Sequence, residues 1–137
     1  MQVHIYSFSY AFTGIPPDQW GNGGGFVFDC RLLPNPMYVD TLAPFTGMDD
    51  CVKEYMAEQA PVGYFLASVA RLVDAAVEEY PRRGYEHLTV CFGCTGGQHR
   101  SVYCAEWMSE RLKEKGCEVT LQHVALEASG AVEKHGV

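Results

Sequence analysis

The sequence predicts a single α/β domain with a mostly parallel or mixed sheet and flanking helices. Strand-like and helix-like patterns alternate along the chain, which is typical of this class. The run "HLTVCFG" (87–93) is continuously apolar, as strands buried inside parallel sheets are. The length of 137 residues suits one domain and can bury a sizeable core, so we expect one domain over residues 1–137.

The first third of the chain contains two predicted strands and two long loops. Residues 2–11 alternate and are rich in aromatic and β-branched types, which predicts a strand. Residues 13–25 are dense in Gly and Pro and predict a loop, either a plain surface loop or a lid that carries Trp20 over a site. The run "FVFDC" (26–30) predicts a second strand. The prolines of residues 31–47 exclude regular structure from most of that segment.

Two helices are predicted next. Thr46 and Asp49 have the spacing of a capping box, in which Asp replaces the usual Glu or Gln, and they predict the start of a helix. The apolar positions of residues 61–80 follow helical spacing, and Pro81 ends that helix.

The last part of the chain predicts a strand–helix–strand unit. The strand at 87–93 leads to a helix over about 98–115, whose apolar positions lie on one face. The alternating residues 118–124 predict a last strand. We expect a right-handed parallel crossover across this unit.

Composition excludes several classes of function. A net charge of −7 argues against a general nucleic-acid or membrane-surface binder. No segment approaches the roughly 20 apolar residues of a membrane helix. The six cysteines accompany no secretory signal, so we expect free thiols in a reducing cytoplasm rather than a disulfide framework.

The stretch "CTGGQHRS" (94–101) predicts an anion site, because it joins a buried strand to a helix. Its glycines let backbone N–H groups approach a ligand, and the start of the helix adds unpaired N–H groups and a positive dipole end. Arg100 can donate two parallel hydrogen bonds to a phosphate. The predicted ligand-binding residues of this loop are Cys94, Thr95, Gly96, Gly97, His99, Arg100 and Ser101.

A catalytic alternative uses the same residues. Cys94 and Arg100, with five residues between them, resemble the signature loop of cysteine-dependent phosphatases, in which a thiolate attacks phosphorus. Gly93 stands where that family usually has His, and no general-acid Asp is identified. Cys91 and Cys94 form a Cys-x-x-Cys pair, but a zinc site needs a second close pair, so no metal is predicted. The Gly-x-x-x-x-Gly-Lys-Ser/Thr spacing of a Walker loop, which binds nucleotide phosphates, is not met either.

Four segments resemble the C-terminal domain of the RapZ family of RNase adapters, whose relatives have been labelled nucleotide-binding proteins. They are "SYAFTGIP", "FVFDCRLLPNPMYV", "PFTGMDDCVKEYM" and "LTVCFGCTGGQHRSVYCAE", in that order and over nearly the whole chain to about residue 127. The resemblance implies a sensor domain that binds glucosamine-6-phosphate, and in full-length members also RNA and a ribonuclease. It implies that the sugar phosphate lies against Thr95, Gly96, Gly97, His99 and Arg100, with Arg31 and Asn35 facing the same cleft.

The sequence therefore favours binding without chemistry. The expected ligand is a small phosphorylated metabolite, such as a hexosamine phosphate, or inorganic phosphate or sulfate, and no cofactor is predicted. The alternatives are a phosphatase that uses Cys94 and Arg100, and an RNA-binding RNase adapter. The acidic charge disfavours RNA, as do residues 117–137, which contain one Lys, no Arg and three Glu. No membrane partner is expected, while a homo-oligomer or a separate protein partner stays open.

Overall fold

Four parallel strands form one sheet in the computed structural model, which describes residues 1–130. The strands are β1 (Gln2–Ser9), β2 (Phe26–Asp29), β3 (His87–Cys94) and β4 (Glu118–His123), and they lie in the order β2-β3-β1-β4. All three pairings are parallel. The predicted α/β class is confirmed, and the carboxyl ends of all strands lie at one edge.

Within residues 1–130, four α-helices accompany the sheet, and three of them were predicted. These three are α1 (Asp50–Glu58), α2 (Ala60–Glu79) and α3 (Arg100–Glu114). A fourth, α4 (Val124–Ser129), follows β4 directly and was not predicted. Its six residues are too few to show a helical period in the sequence.

The main hydrophobic core lies between α1, α2, α3 and one face of the sheet. Its fully buried members include Ile5 and Phe92 from the strands and Met56, Val73 and Met108 from the helices. Side chains alternate between the two faces of a strand, so the apolar run of β3 supplies both faces.

The opposite face of the sheet is covered by the segment 10–25. Tyr6, Phe8 and Cys91 form a smaller core on this face, against which Tyr10 packs. Trp20 stacks on the ring of His4 at a centroid distance of 3.8 Å.

Helix α2 departs from the expectation that no segment resembles a membrane span. Together with the 3-10 turn Pro81–Arg83 it spans 24 residues, Ala60–Arg83, and an 18-residue window within this segment has a mean hydropathy of 1.3. Alanine and valine raise this average, although the segment also contains Arg71 and Asp74. One side of α2 is buried in the main core.

An ion-pair cluster joins α2 to α3. Both guanidinium nitrogens Nη1 and Nη2 of Arg111 donate to the Asp74 carboxylate, at 2.7 and 2.5 Å, and Lys115 Nζ donates at 3.0 Å. These cations lower the pKa of Asp74 to about 2, chiefly through the hydrogen bond from Arg111.

All six cysteines are free. The end of the acidic tail, residues 131–137, lies outside the described part of the chain.

Candidate functional site

The predicted anion loop borders a pocket at the carboxyl edge of the sheet. The loop runs from the end of β3 at Cys94 to the start of α3 at Arg100. The pocket has a volume of about 280 Å³. Its lining residues are Phe12, Asn35, Met37, Tyr38, Cys94, Thr95, Gly96, Gln98, His99 and Arg100.

The two glycines of the loop have different roles. Gly97 has a φ of 72°, a conformation that favours glycine, and a side chain there would collide with Ala125 and crowd Ser9. Gly96 has open space where a side chain would point, and it lines the pocket. Gly97 therefore seats the loop on β1 and α4, while Gly96 leaves the backbone accessible to a ligand.

Arg100 lies at the wall of the pocket but also binds the protein backbone. Its side chain is buried, and Nη1 donates to the carbonyl oxygens of Arg31 at 2.7 Å and Leu33 at 3.2 Å. The buried Nε has no hydrogen-bond partner within residues 1–130. The prediction that Arg100 holds an anion leaves out this second role, which fixes the segment after β2 against α3.

His99 contributes a buried nitrogen without a partner. The residue is 4% exposed, and its Nε2 forms no hydrogen bond in the described part of the chain. Burial lowers the pKa of His99, and the backbone carbonyls of the segment 42–45 oppose that shift. Gly47 N–H donates to the Gln98 carbonyl at 2.8 Å and holds the segment before α1 beside this loop.

Cys94 is buried beneath the loop. It is 2% exposed, belongs to the main core, and its Sγ lies 3.1 Å from Ser101 Oγ. Ser101 is fully buried and does not line the pocket. Cys91 faces the other side of the sheet, because residues three apart in a strand point in opposite directions. Burial raises the pKa of the Cys91 thiol to about 11. The two thiols therefore do not form a pair.

The segment after β2 contributes one of its two predicted site residues to the pocket. Asn35 lines it, and its side-chain oxygen accepts a hydrogen bond from Met37 N at 3.0 Å. Arg31 does not line the pocket, because its guanidinium pairs with Asp29 at 2.7 Å and stacks on Tyr10 at 3.9 Å. Only the backbone carbonyl of Arg31 joins the site, through Arg100.

Four pocket residues were missed by the sequence reasoning: Phe12, Met37, Tyr38 and Gln98. Phe12 follows β1, and Met37 and Tyr38 form the 3-10 turn Pro36–Tyr38 after β2. Carboxyl ends of parallel strands share one edge, so the segments after β1 and β2 were candidates. The lid interpretation of Trp20 is wrong, because Trp20 stacks on His4 and on His87, the first residue of β3, at the opposite edge.

A Ser–His–Glu arrangement lies away from this pocket. Ser7 Oγ and His123 Nδ1 are 2.6 Å apart, and His123 Nε2 is 2.9 Å from Glu106 Oε1. Ser7 is fully buried, so no substrate can reach its hydroxyl. The His123 contact lowers the pKa of Glu106. We interpret the group as a polar link between β1, β4 and α3. Residues 1–130 contain no group of three His, Cys, Asp or Glu residues that could hold a metal ion.

Comparison with known proteins gives one consistent family. A family model described as the RapZ C-terminal domain matches residues 1–127. A nucleotide-binding protein of Fervidobacterium nodosum is 39% identical over 91% of this chain and 42% of its own length. A relative with the same name from Thermotoga neapolitana is 43% identical over 93% of this chain and 43% of its own length. A third, from Moorella thermoacetica, is 42% identical over 88% of this chain and 38% of its own length.

This chain thus spans about two fifths of the length of the curated relatives that it matches. The matched region contains all the segments that line the pocket, namely Phe12 and residues 35–38 and 94–100. Because the family model covers more than nine tenths of the sequence, the chain belongs to the RapZ C-terminal domain family.

Proposed function

We propose that this chain is a non-catalytic sensor domain that binds a small phosphorylated metabolite at the loop 94–101. One observation carries the proposal: His99 Nε2 and Arg100 Nε are both buried, both lack partners within residues 1–130, and both residues line the same pocket. A buried polar group without a partner costs about 1–3 kcal/mol, so a ligand oxygen that contacts either atom would recover part of that cost. The relatives named nucleotide-binding proteins support a phosphorylated ligand.

The start of α3 would bind the phosphate itself. The first N–H groups of a helix have no partner inside the helix, and the helix dipole favours an anion there. Gly96 leaves room for an oxygen close to the backbone, and Thr95 is exposed beside it. Two or three backbone N–H groups, together with the edge of Arg100, form an anion cradle of the kind found at other strand–helix turns.

The specific ligand that we propose is a hexosamine phosphate such as glucosamine-6-phosphate. No Asp or Glu of the described residues lines the pocket, so an ammonium group would be bound by neutral oxygens such as that of Asn35. Comparison of glucosamine-6-phosphate with glucose-6-phosphate tests this directly. We expect the amino sugar to bind more tightly, and equal affinity would limit the proposal to sugar phosphates in general.

A thermal-shift and calorimetry panel tests the proposed function. The panel contains inorganic phosphate, sulfate, the two hexose phosphates and AMP. A ligand that binds only the folded state adds about 2.7 kcal/mol of stability at one hundred times its dissociation constant. Failure of all five compounds to stabilise the protein would contradict the proposal, and a clear preference for AMP would replace the sugar by a nucleotide.

We expect no phosphatase chemistry. A nucleophilic thiol must be accessible to its substrate, whereas Cys94 is 2% exposed and contacts the Ser101 hydroxyl. The wild-type protein should not hydrolyse para-nitrophenyl phosphate, and Cys94→Ser should bind sulfate as the wild type does. Turnover that disappears in Cys94→Ser would favour the cysteine phosphatase instead.

RNA binding receives little support from the charge distribution. Arg82 and Arg83 pair with Glu79, and Arg111 and Lys115 pair with Asp74, so acidic neighbours offset these cations. We propose a cytoplasmic domain whose RNA affinity stays in the nonspecific range of about 10⁻⁴ to 10⁻⁶ M at physiological salt. A gel-shift titration that finds tighter binding with a steep salt dependence would restore the RNase-adapter alternative.

A further inference from the structure

Large apolar side chains stand exposed around the mouth of the phosphate pocket. Phe12 and Tyr38 are 82% and 86% exposed, and Met37 is 47% exposed. All three line the same pocket as the loop 94–101. We call Phe12 and Tyr38 the aromatic rim. Aromatic and apolar side chains that line a pocket are typical of sites where small molecules bind.

The aromatic rim is held by fixed turns rather than by loose chain. Phe12 N–H donates to Ser9 Oγ at 3.0 Å, and that hydroxyl donates to the Thr95 carbonyl at 2.5 Å. Tyr38 N–H donates to the Asn35 carbonyl at 3.2 Å within the 3-10 turn. Both turns are therefore tied to pocket residues, and their rings remain in water although the backbone beneath them is anchored.

The chemistry of the pocket divides into two parts. The loop 94–101 and the start of α3 supply donors for an anion, whereas the rim supplies two flat apolar rings and no charge. A sugar ring is polar around its edge, but its C–H faces pack well against aromatic rings. A bare phosphate ion has nothing to place against such rings.

We propose that the aromatic rim binds the ring of a phosphorylated cyclic compound, with Phe12 and Tyr38 against its carbon face while the phosphate lies on the loop 94–101. This inference rests on the proposed function and adds the residues that distinguish a cyclic ligand from the phosphate group alone. Phe12 and Tyr38 therefore determine specificity for a cyclic ligand, because they contact its ring and make no contact with its phosphate.

The test measures three probes by calorimetry: glucose-6-phosphate, acyclic glycerol-3-phosphate and inorganic phosphate. The variants are Phe12→Ala, Tyr38→Ala and, as the matched control, Tyr64→Ala, which removes a 75% exposed ring from α2. Each rim variant should lower the affinity for glucose-6-phosphate by about two- to tenfold, the usual range for one aromatic contact. Inorganic phosphate should change less than about twofold, and Tyr64→Ala should leave every affinity unchanged.

The outcomes separate this inference from the proposed function. If no probe binds the wild type, the proposed function fails. If phosphate binds but glucose-6-phosphate binds no tighter than glycerol-3-phosphate, and the rim variants match the control, the rim proposal alone is overturned. Equal weakening of all three probes would also overturn it, because the rings would then act through the shape of the loop. Sedimentation showing a wild-type dimer that Phe12→Ala dissociates, with unchanged sugar affinity, would assign the rim to contacts between copies.

Discussion

Replacement of Arg100 by alanine should reduce both stability and ligand binding. The variant loses the hydrogen bonds from Nη1 to the carbonyls of Arg31 and Leu33. Hydrogen bonds to a charged group contribute about 1.5–3 kcal/mol each, but Nη1 makes both bonds, so their contributions do not simply add. The substitution also removes the buried Nε, and with it the free-energy cost of leaving that donor without a partner. We therefore expect a loss of about 2–4 kcal/mol in the free energy of unfolding. At about 3–5 °C per kcal/mol for a chain of this size, Tm should fall by roughly 10 °C.

Denaturant unfolding and calorimetry with sulfate measure the two effects separately, at a temperature where the variant stays folded. Sulfate binding to folded Arg100→Ala should weaken by about 2–4 kcal/mol. Arg100→Lys should recover part of each loss, because an ammonium cannot reproduce the planar fork of the guanidinium. Arg71→Ala, which removes an exposed arginine from α2, serves as the control and should change neither quantity. Unchanged stability in Arg100→Ala would refute the structural role, and unchanged sulfate affinity would refute the binding role.

Three further predictions follow from individual residues. Gly97→Ala should destabilise the protein by more than 2 kcal/mol and abolish sulfate binding, because of its φ of 72° and its contact with Ala125, whereas Gly96→Ala should fold normally; equal Tm values would contradict this. Burial lowers the pKa of His99, so a bound anion should raise that pKa and the imidazole ring should take up a proton on binding. Sulfate affinity should then increase as pH falls from about 8 to 6, and the increase should vanish in His99→Gln; the same slope in both proteins would remove His99 from the site. Asp74→Asn should cost about 1 kcal/mol at pH 7, after allowance for solvent screening of a partly exposed pair. Because the folded-state pKa of Asp74 is depressed to about 2, this difference should persist above pH 4 and disappear as pH falls towards 2; a constant difference in acid would contradict the ion-pair account.

Strands and long helices could be predicted because their signals are local. The apolar run of β3 and the helical period of residues 61–80 need no information from elsewhere in the chain. The capping-box spacing was read correctly as a contact, since Thr46 N–H donates to Asp49 Oδ2 at 2.8 Å. That contact closes the turn before the helix, however, and α1 begins only at Asp50. Local spacing thus identified the interaction but not the boundary of the element.

The site was only half predictable, because its other half depends on contacts distant in sequence. Residues 94–101 contain donors and glycines in one stretch, so the loop that borders the pocket could be predicted as a candidate site directly. Nothing in the sequence near Arg31 shows that its carbonyl, 69 residues away, accepts a hydrogen bond from Arg100. Phe12 and Tyr38 belong to loops without any period, and only the parallel order of β1, β2 and β3 brings them to the same edge.

The position of Cys94 at the end of β3 is the main structural argument for the proposal that this phosphatase-like loop binds a ligand without nucleophilic attack. Cys94 pairs in register with Ser9 and points to the face of the sheet that carries the helices, where α3 and the Ser101 hydroxyl cover it. The next residue, Thr95, is exposed and lines the pocket, but it carries a hydroxyl instead of a thiol. A shift of one residue along β3 would exchange these two positions. The loop therefore exposes the Thr95 hydroxyl at the pocket while the Cys94 side chain packs in the main core, which supports the proposal of binding without chemistry.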